Sequence, residues 1–457
     1  MRKYLKLALS VFCFMVGANA DSQSRGWQNL FNGKNLDGWM RLAGKAVYSV
    51  EDGMIVGTTV LNSGNTFLAT EKEYGDFILE LDIKIESVKG NSGVQTRSHY
   101  DPSGHNGKGL VYGRQVEVDP SPRRWSGGIY DEGRRQWLYP LTLDTAAQTA
   151  FKVSDFNHYK IECIGNEIRT WINSIPVAYL VDTIDHKGFI ALQVHQVNSP
   201  NEAGKKIYFK NIRIKTKHLR DTPFPPGIFV VDYVPNHLSS YERKNGWKLL
   251  FDGKDSKGWR GANLTGFPSK DWVVRNSTIT VLGSEGKEGG EGGDIVTDDE
   301  YRAFDLSFEF KLTPGANSGV KYFVTLTEHN TGSAIGLEYQ VLDDSLHPDA
   351  KLGRNGDRAL ASLYDLIPSN KPKSVIRPIG EWNTGRIVVY PDNRVEHYLN
   401  GIKVLEYVRG SQEFRDLVSI SKFKVWENFG EATQGHILLQ DHGNTVSFRS
   451  IKIKEFK

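Results

Sequence analysis

The sequence predicts an all-β protein made of two tandem β-sandwich domains. The first observation is a long internal repeat, because the segment 27–39, which runs from Trp-Gln-Asn-Leu-Phe to Gly-Trp, returns as Trp-Lys-Leu-Leu-Phe to Gly-Trp at 247–259. Two later landmarks recur in the same order: Asn-Ser-Gly-Val at 91–94 and 317–320, and Leu-Gln-x-His at 192–195 and 439–442. Solenoid units span only ~20–50 residues, so this repeat indicates duplication of a whole domain.

The second observation is strand-like alternation of apolar and polar residues. Such alternation marks strands with one face in a core and one face exposed. It is found in four segments: 77–85, 207–215, 304–312 and 447–454. Turn residues such as Asn400-Gly401 recur between such segments, which favours sandwiches of antiparallel sheets. Helix is scarce, and the best candidate covers 411–419 with Ser411 as its cap.

The repeat sets the expected domain boundaries. We expect a signal peptide at 1–20, a first sandwich at 21–217, a linker at 218–245 and a second sandwich at 246–457. The stretch 222–227 contains three prolines, which is typical of a stiff connector.

The N-terminus has the features of a secretory signal. Arg2, Lys3 and Lys6 precede a short apolar stretch at 7–17, and Ala-Asn-Ala at 18–20 resembles a cleavage site. The apolar stretch is too short to span a bilayer comfortably. We therefore expect a periplasmic or secreted bacterial protein with no membrane span.

Charge and cysteine content narrow the function classes. The three basic residues of the leader account for the whole formal net charge of +3. The mature chain therefore has no bulk positive field to attract nucleic acid or anionic membranes. Cys163 is the one cysteine beyond the leader, so an internal disulfide is excluded.

Candidate site residues first appear on one predicted strand in each half. With a period of two, Gln115, Glu117 and Asp119 share a face in the first half, and Glu338 and Gln340 share a face in the second. A carboxylate beside an amide at the same place in both halves indicates a functional site. A solvated outer face is the alternative.

A second strand carries a histidine beside a glutamine in both halves. Gln193 and His195 share a face, as do Gln440 and His442. Histidine is the side chain best suited to exchange protons near neutral pH. A structural histidine remains the alternative for each of them.

Two further segments add cations, carboxylates and aromatic rings. Alternation places Gln95 and Arg97 on one face, and the second half has Lys321 and Phe323 at these two positions. A cation beside the carboxylate and the histidine could stabilise an oxyanion. A loop rich in aromatic and charged side chains suits a sugar, whose faces are apolar and whose rim is polar, although a salt-bridged surface loop is the alternative. Its residues are Tyr130, Asp131, Glu132, Arg134, Arg135 and Trp137, with Tyr364 and Asp365 in the second half.

Metal-binding patterns are weak. The acidic pairs and triplets at 343–344 and 298–300 could serve a divalent ion such as Ca²⁺, although turn acids are the alternative. The sequence contains no His-Glu-x-x-His pattern. No cofactor is expected with certainty.

These motifs together resemble the DUF1080 family of bacterial secreted proteins, also called the 3-keto-disaccharide hydrolase domain. The resemblance covers both halves and rests on the opening Leu-Phe-x-Gly-Lys motif, on Asn-Ser-Gly-Val, on Gln-Val-Glu-Val-Asp-Pro at 115–120, on Gly-Gly-Ile-Tyr-Asp-Glu-Gly-Arg-Arg at 127–135, on Gly-Glu-Trp-Asn at 380–383 and on Leu-Gln-Asp-His-Gly-Asn at 439–444. The resemblance implies two tandem concanavalin A-like, jelly-roll sandwiches.

The implied activity is cleavage of glycosides already oxidised to a ketone at C3. An upstream glycoside 3-dehydrogenase would then supply the substrate. Such a ketone acidifies the C2 hydrogen, so elimination of the C1 aglycone followed by hydration would give net hydrolysis.

This chemistry needs a base, a cation near the developing oxyanion and an acid for the leaving group. The hypothesis for the first half is that His195 or Glu117 is the base, Arg97 assists the oxyanion, and Asp131 or Glu132 serves the leaving group. For the second half the corresponding residues are His442, Glu338, Lys321 and Asp365.

The remaining candidates are expected to bind substrate. They are Gln115, Asp119, Tyr130, Arg134, Arg135, Trp137, Gln193, Gln340, Tyr364 and Gln440.

Two other functions remain open at this point. A tandem lectin-like protein would bind sugars without cutting them, since a fold alone does not define function. A conventional glucanase would need two carboxylates ~5–5.5 Å apart. Glu117 and Asp119 could supply them, but the second half lacks a second acid in register.

Overall fold

The computed structural model describes residues 26–284, 290–326 and 334–456. The proposed signal peptide at 1–20 lies outside the described residues. Within them the protein is nearly all β, as predicted, and each repeat forms two stacked sheets.

The strands of the first domain include both predicted segments, 77–85 as β6 and 207–215 within β15. They are β1 Trp27–Asn29, β2 Trp39–Ala43, β3 Val47–Glu51, β4 Met54–Thr58, β5 Thr66–Tyr74, β6 Phe77–Ile85, β7 Ser92–Asp101, β8 Leu110–Val118, β9 Ile129–Glu132, β10 Gln136–Tyr139, β11 Asn157–Ile164, β12 Glu167–Ile172, β13 Ile175–Val181, β14 Gly188–Val194 and β15 Lys206–Lys215. A short helix, α1, covers Gly104–Gly107.

The linker and the second domain continue the pattern. Their strands are β16 Val231–Asp232, β17 Lys248–Leu249, β18 Trp259–Gly261, β19 Trp272–Arg275, β20 Thr278–Val281, β21 Ile295–Tyr301, β22 Phe304–Leu312, β23 Asn317–Thr325, β24 Ile335–Leu342, β25 Asn383–Val389, β26 Arg394–Leu399, β27 Ile402–Val408, β28 Gly435–Leu439 and β29 Val446–Glu455. The helices are α2 Ser240–Lys244 and α3 Gln412–Ser419. The Ser411 side chain accepts a hydrogen bond from the Phe414 N–H, which confirms the predicted helix and its cap.

The two domains repeat one topology. In the first domain the back sheet has the order β16-β13-β12-β11-β6-β15-β4-β3, and the front sheet has the order β10-β9-β8-β7-β14-β5-β2. In the second domain the corresponding orders are β19-β20-β29-β22-β25-β26-β27 and β18-β21-β28-β23-β24. The paths β8-β7-β14-β5 and β24-β23-β28-β21 are equivalent, so the repeated motifs lie on the two front sheets.

Each core lies between its two sheets. In the first domain Leu79 of the back sheet and Val94, Val116 and Leu192 of the front sheet belong to one buried cluster. Because side chains alternate across a strand, the intervening residues of β7, β8 and β14 face away from this core. The polar candidates occupy that outer face.

The linker packs against the first domain. β16 extends the back sheet by parallel pairing with β13. Phe224 and Tyr241 bury themselves against Trp171 and Tyr179 of that sheet. Helix α2 begins with a capping box at Ser239.

Candidate functional site

Neighbouring front-sheet strands bring the first-domain candidates together. On β8, Glu117 lies opposite Gly93 of β7, and Gln115 lies opposite Gln95. On β14, Gln193 lies opposite the same Gly93. Glycine has no side chain, so the groups of β8 and β14 face each other across β7.

An amide chain holds the buried carboxylate of Glu117. The Gln95 Nε2 donates to Gln115 Oε1 at 2.9 Å, and the Gln115 Nε2 donates to Glu117 Oε2 at 3.1 Å. The Asn91 Nδ2 donates to the other carboxylate oxygen. Burial raises the pKa of Glu117 to about 7, although these hydrogen bonds and Arg123 oppose the shift. Glu117 can therefore accept or donate a proton near neutral pH.

Arg123 is a site residue that the sequence reasoning missed. Its Nε lies 2.7 Å from Asp119 Oδ2 and its Nη2 lies 3.3 Å from Glu117 Oε1. Its guanidinium carbon is 4.7 Å from the ring centroid of Trp125 and 4.9 Å from that of Trp137. The side chain is nevertheless 41% exposed. The Arg-Arg-Trp run directly after the acidic strand was the available signal.

The aromatic part of this loop also reaches the site. Tyr130 lies opposite Gln115 in the sheet, and its ring centroid is 5.2 Å from that of Trp137. Both side chains are half-buried, which makes them suitable to contact the apolar face of a sugar ring.

The repeated glutamine has unsatisfied hydrogen-bonding groups. Gln193 is fully buried, and neither its Nε2 nor its Oε1 has a hydrogen-bond partner. In the second domain the Oε1 of Gln440 is likewise without a partner. Unpaired buried amides carry a free-energy cost of about 1–3 kcal/mol, so these groups are suited to a ligand or an ordered water.

The repeated histidine lies at the rim. The Nδ1 of His195 is 2.8 Å from the Gln196 carbonyl, so Nδ1 donates and Nε2 is the acceptor of the neutral ring. Burial lowers the pKa of His195, and the charge of Arg123 lowers it further. The neutral ring is a potential base. The Gln196 N–H in turn donates to Asn65 at 2.9 Å.

In the second domain a lysine accompanies the carboxylate. Glu338 on β24 lies opposite Lys321 on β23, and both are buried. Burial raises the pKa of Glu338, while the charges of Lys321, Lys422 and His442 oppose the shift. Lys321 also lies 3.6 Å from Asp294.

The register shows that the two domains exchange their carboxylate and amide. Glu117 lies opposite Gly93, whereas Gly319 lies opposite Gln340. Glu338 therefore occupies the position of Gln115, one alternate residue away from the position of Glu117. The sequence reasoning paired Glu117 with Glu338, and the structure corrects that equivalence.

The repeated glycine makes room for the inner member of each pair. A Cβ at Gly93 would lie 2.3 Å from the Gln115 Cδ, and a Cβ at Gly319 would lie 2.3 Å from the Glu338 Oε1. The side chains at these two positions therefore fold over the glycine. This close approach is the physical reason for Asn-Ser-Gly-Val in both halves.

A second group surrounds Glu338. The Tyr364 hydroxyl donates to Asp349 Oδ2 at 2.8 Å, and the Lys422 Nζ lies 4.1 Å from the Tyr364 ring centroid. Asp365 accepts from the Arg358 Nε at 2.7 Å and from the backbone N–H of Lys422 at 2.8 Å. Asp365 therefore holds the Lys422 segment in place, and the expected leaving-group role for Asp365 does not fit these contacts.

Arg97 lies away from the site, contrary to the prediction. It has φ of 47° at a bulge in β7, which breaks the alternation with Gln95. Its buried guanidinium donates to the Gly75 carbonyl at 2.7 Å, the Gly165 carbonyl at 2.8 Å and Asp76 at 2.8 Å. These bonds tie turns together and leave Arg97 no role at an oxyanion.

Asp131, Arg134 and Arg135 also have structural roles. Asp131 is fully buried and lies 2.7 Å from Arg134 and 2.5 Å from Arg135. Arg134 also pairs with Asp185 at 2.6 Å, and Arg135 with Asp182 at 2.7 Å. This network corrects the expectation that Asp131 is an acid and that the two arginines bind substrate.

Glu132 remains at the front sheet. Its Oε1 accepts from the Asn65 Nδ2 at 3.1 Å, and Asn65 also accepts from the Gln196 N–H beside His195. Burial raises the pKa of Glu132, which suits a proton donor.

The acidic pair at 343–344, one of the two candidates for a metal, accepts hydrogen bonds from protein groups. Asp343 accepts from the N–H groups of Ser345 and Gly315, and Asp344 accepts from the Leu360 N–H. Among residues 26–284, 290–326 and 334–456, no three His, Cys, Asp or Glu side chains converge as metal ligands would.

A cavity of about 630 Å³ lies elsewhere, between the domains. The charged side chains that line it include two ion pairs within the back sheet of the second domain, and Lys452 of that sheet pairs with Glu242 of α2. Arg386 lies 2.6 Å from Asp305, and Arg449 lies 2.9 Å from Glu309. The carboxylates Glu117 and Glu338 and the unsatisfied glutamines Gln193 and Gln440 are instead on the front sheets, which are therefore the better candidate sites.

No helix in the described part of the chain is long and apolar enough to cross a membrane.

Known proteins each match about half of the chain, and one family model matches both halves. A curated "3-keto-disaccharide hydrolase" of Bacteroides thetaiotaomicron is 38% identical over 231 residues, which cover 46% of this chain and 78% of that protein. A crystal structure from Parabacteroides distasonis, named only as a candidate glycosyl hydrolase, is 29% identical with a TM-score of 0.43 and covers 49% of this chain and 100% of that one. A β-glucanase of Bacillus licheniformis is 14% identical with a TM-score of 0.29, over 43% of this chain and 100% of that one. The model of the 3-keto-alpha-glucoside-1,2-lyase-like domain matches residues 26–215 and again 246–454, so the chain belongs to that family in both of its domains.

Proposed function

We propose that this protein is an enzyme that cleaves glycosides already oxidised to a ketone at C3, and that the second domain carries the cleaving site. Family membership and the name of the Bacteroides relative support the substrate class. The observation that carries the assignment to the second domain is the buried pair of Glu338 and Lys321 on adjacent strands.

The second domain supplies the groups that the reaction needs. Glu338 removes the acidic C2 proton, and the ammonium of Lys321 stabilises the enolate oxygen that develops at C3. The electron pair then expels the C1 aglycone, which takes a proton from His442. His442 lies just beyond the end of β28, the strand that pairs with β23 and its Lys321.

Of the two candidate sites, only that of the first domain has the two carboxylates that a conventional glucanase needs. Glu117 and Asp119 share Arg123, whereas the equivalent strand of the second domain has Gln340 and Leu342. A two-carboxylate enzyme would cut unoxidised glucosides, so the substrate comparison below separates the two activities. A lectin-like protein would cut neither.

The test follows aglycone release from a chromogenic 3-keto-glucoside and from its unoxidised parent. We expect the mature wild-type protein to cleave the keto substrate alone. Glu338→Gln should lower the rate by about 10²–10⁴-fold, because it removes the base. Glu406→Gln, an exposed glutamate on β27 of the back sheet, is the matched control and should retain the wild-type rate.

Full turnover by Glu338→Gln, or equal cleavage of the unoxidised parent, would contradict the proposal. A parallel reaction with a chelator tests the expectation of a divalent ion, since loss of activity there would reveal a metal requirement.

The proposed reaction also requires a location for the protein and a source of oxidised glycoside. The signal expected at 1–20 would deliver the protein to the periplasm or the medium. Its substrate would come from an enzyme that oxidises the C3 hydroxyl of a glycoside, which is a 3-dehydrogenase. Fractionation of cells that express the full chain tests the location.

A further inference from the structure

We propose that the first domain is a second catalytic site, which adds water to the 1,2-unsaturated 3-keto sugar that the second domain releases. This inference rests on the proposed function, because elimination from a 3-keto-glycoside leaves such an unsaturated sugar. The two tandem domains would then catalyse consecutive steps of one net hydrolysis.

The two front sheets exchange a carboxylate and an amide within one shared arrangement of strands. The repeated glutamine and glycine occupy equivalent positions in both front sheets, and the repeated histidine follows two residues after the glutamine in the sequence. Alternate strand residues are about 6–7 Å apart, so the two carboxylates meet different parts of a sugar held by that frame. Two sites for the same step would not need this difference.

The first front sheet has no lysine at the position of Lys321. The position of Lys321 is Gln95 in the first domain, and the Gln95 amide is bonded to Gln115 and Ser98. The position of Asp294, before β21, is Phe67 in the first domain, where it lies opposite Gln193. The first front sheet therefore lacks the buried ammonium that favours proton abstraction from the keto sugar.

The two domains also differ in the segment between β13 and β14, which corresponds to the segment between β27 and β28. In the first domain it covers only 182–187, whereas in the second it covers 409–434 and includes α3 and Lys422. This longer segment reaches Asp365 and Tyr364 beside Glu338 and carries exposed Ile420 and Val425. An exposed apolar segment beside the site suits the aglycone of a glycoside. The unsaturated sugar has no aglycone, and the described residues of the first domain include no corresponding segment.

The first domain has the groups that hydration needs. The substrate is an enone, in which C1 is the electrophilic carbon. Gln193 has a free buried N–H and carbonyl oxygen for the sugar oxygens, including the C3 oxygen where charge develops. Burial raises the pKa of Glu117 to about 7, which lets the same carboxyl take a proton and return one.

The step balances with water as the one co-reactant. The water oxygen bonds to C1 while Glu117 takes one of its protons. The π pair of the C1–C2 double bond moves towards the C3 carbonyl, and C2 then receives the proton from Glu117. The product is the free 3-keto sugar, and Glu117 returns to its starting state.

The experiment follows the two steps separately in the full mature protein. The first substrate is the chromogenic 3-keto-glucoside, with aglycone read by absorbance and sugar products read by mass. The second substrate is the unsaturated keto sugar itself, whose hydration is compared with the rate without enzyme.

We expect Glu338→Gln to lose aglycone release but to hydrate the supplied unsaturated sugar at the wild-type rate. We expect Glu117→Gln to lower hydration by at least about 10²-fold, so that the product one water lighter accumulates from the glucoside. Glu71→Gln, an exposed glutamate on β5 of the first domain, is the matched control and should behave as wild type.

The inference is overturned if wild type hydrates the unsaturated sugar no faster than buffer, or if Glu117→Gln hydrates it as fast as wild type. Loss of hydration in Glu338→Gln would also overturn it, because one site would then perform both steps. Failure of wild type to release any aglycone would instead contradict the proposed cleavage, while the hydration measurement would still decide this inference.

Discussion

The two front sheets share one frame but carry different chemistry. Both domains keep a glutamine and a histidine at the C-terminal ends of β14 and β28, and a glycine on β7 and β23. The first places Glu117 among amides beneath an exposed arginine, whereas the second places Glu338 beside the buried Lys321. The two domains therefore share the geometry proposed to hold a ligand and differ in the groups proposed to react with it.

Removal of the lysine should have the largest effect on this contrast. Lys321→Gln gives the second domain the residue type found at the first domain's position 95. Because it removes charge stabilisation of the enolate, we expect aglycone release to fall by about 10²–10³-fold. The measurement is release from a 3-keto-glucoside at saturating substrate. Lys254→Gln, in an exposed turn, serves as the control, and an unchanged rate in Lys321→Gln would remove the electrostatic distinction between the domains.

An added methyl group at the repeated glycine should have a somewhat smaller effect. Gly319→Ala places a Cβ 2.3 Å from the Glu338 carboxylate, so the base must move. We expect about a 10²-fold loss of aglycone release, since a displacement of about 1 Å can cost that much. Gly266→Ala, which meets no atom within 4 Å, is the control.

The same change in the first domain sharpens the comparison. Gly93→Ala displaces Gln115, the amide partner of Glu117, and should therefore slow hydration of the unsaturated sugar. A loss of aglycone release in Gly93→Ala equal to that in Gly319→Ala would show that both domains perform the same step.

The pH dependence of stability should give the smallest effect. The pKa of Glu117 is about 7 in the folded protein and near 4.5 in the unfolded chain. The unfolded chain therefore ionises first, and the stability lost between pH 4.5 and about 7 is about 3 kcal/mol. Relative to Glu117→Gln, the wild-type first domain should melt several degrees lower above pH 7 than below pH 4.5. A constant difference in melting temperature across this range would contradict a buried, neutral Glu117.

Strand alternation predicted the site where the strands are regular. It placed Gln115 and Glu117 on one face and Gln193 beside them, because regular pleating alternates side chains. It failed at Arg97 because a bulge turns that side chain into the turns at the end of the sandwich. The equivalent Phe323 has φ of 52°, so the bulge belongs to both domains.

Contacts made by loop side chains were the second feature that the sequence could not predict. Arg123 and Lys422 reach the carboxylates from loops, and no periodicity reports where a loop side chain points. Asp131 was expected to protonate the leaving group because it lies in a loop suited to bind a sugar. Its carboxylate is instead paired with Arg134 and Arg135. The register that exchanges Glu117 and Glu338 likewise needed the pairing of β7 with β8 and of β23 with β24.

The pairing of β16 with β13 bears on how the two domains can be separated. Without residues 218–245 the hydrogen-bonding edge of β13 would be open, and Trp171 and Tyr179 would lose the cover of Phe224 and Tyr241. Open strand edges with apolar surroundings favour association with other chains. A truncated first domain should therefore end after α2, at about residue 245, rather than at the end of the repeat, if it is to stay monomeric in solution.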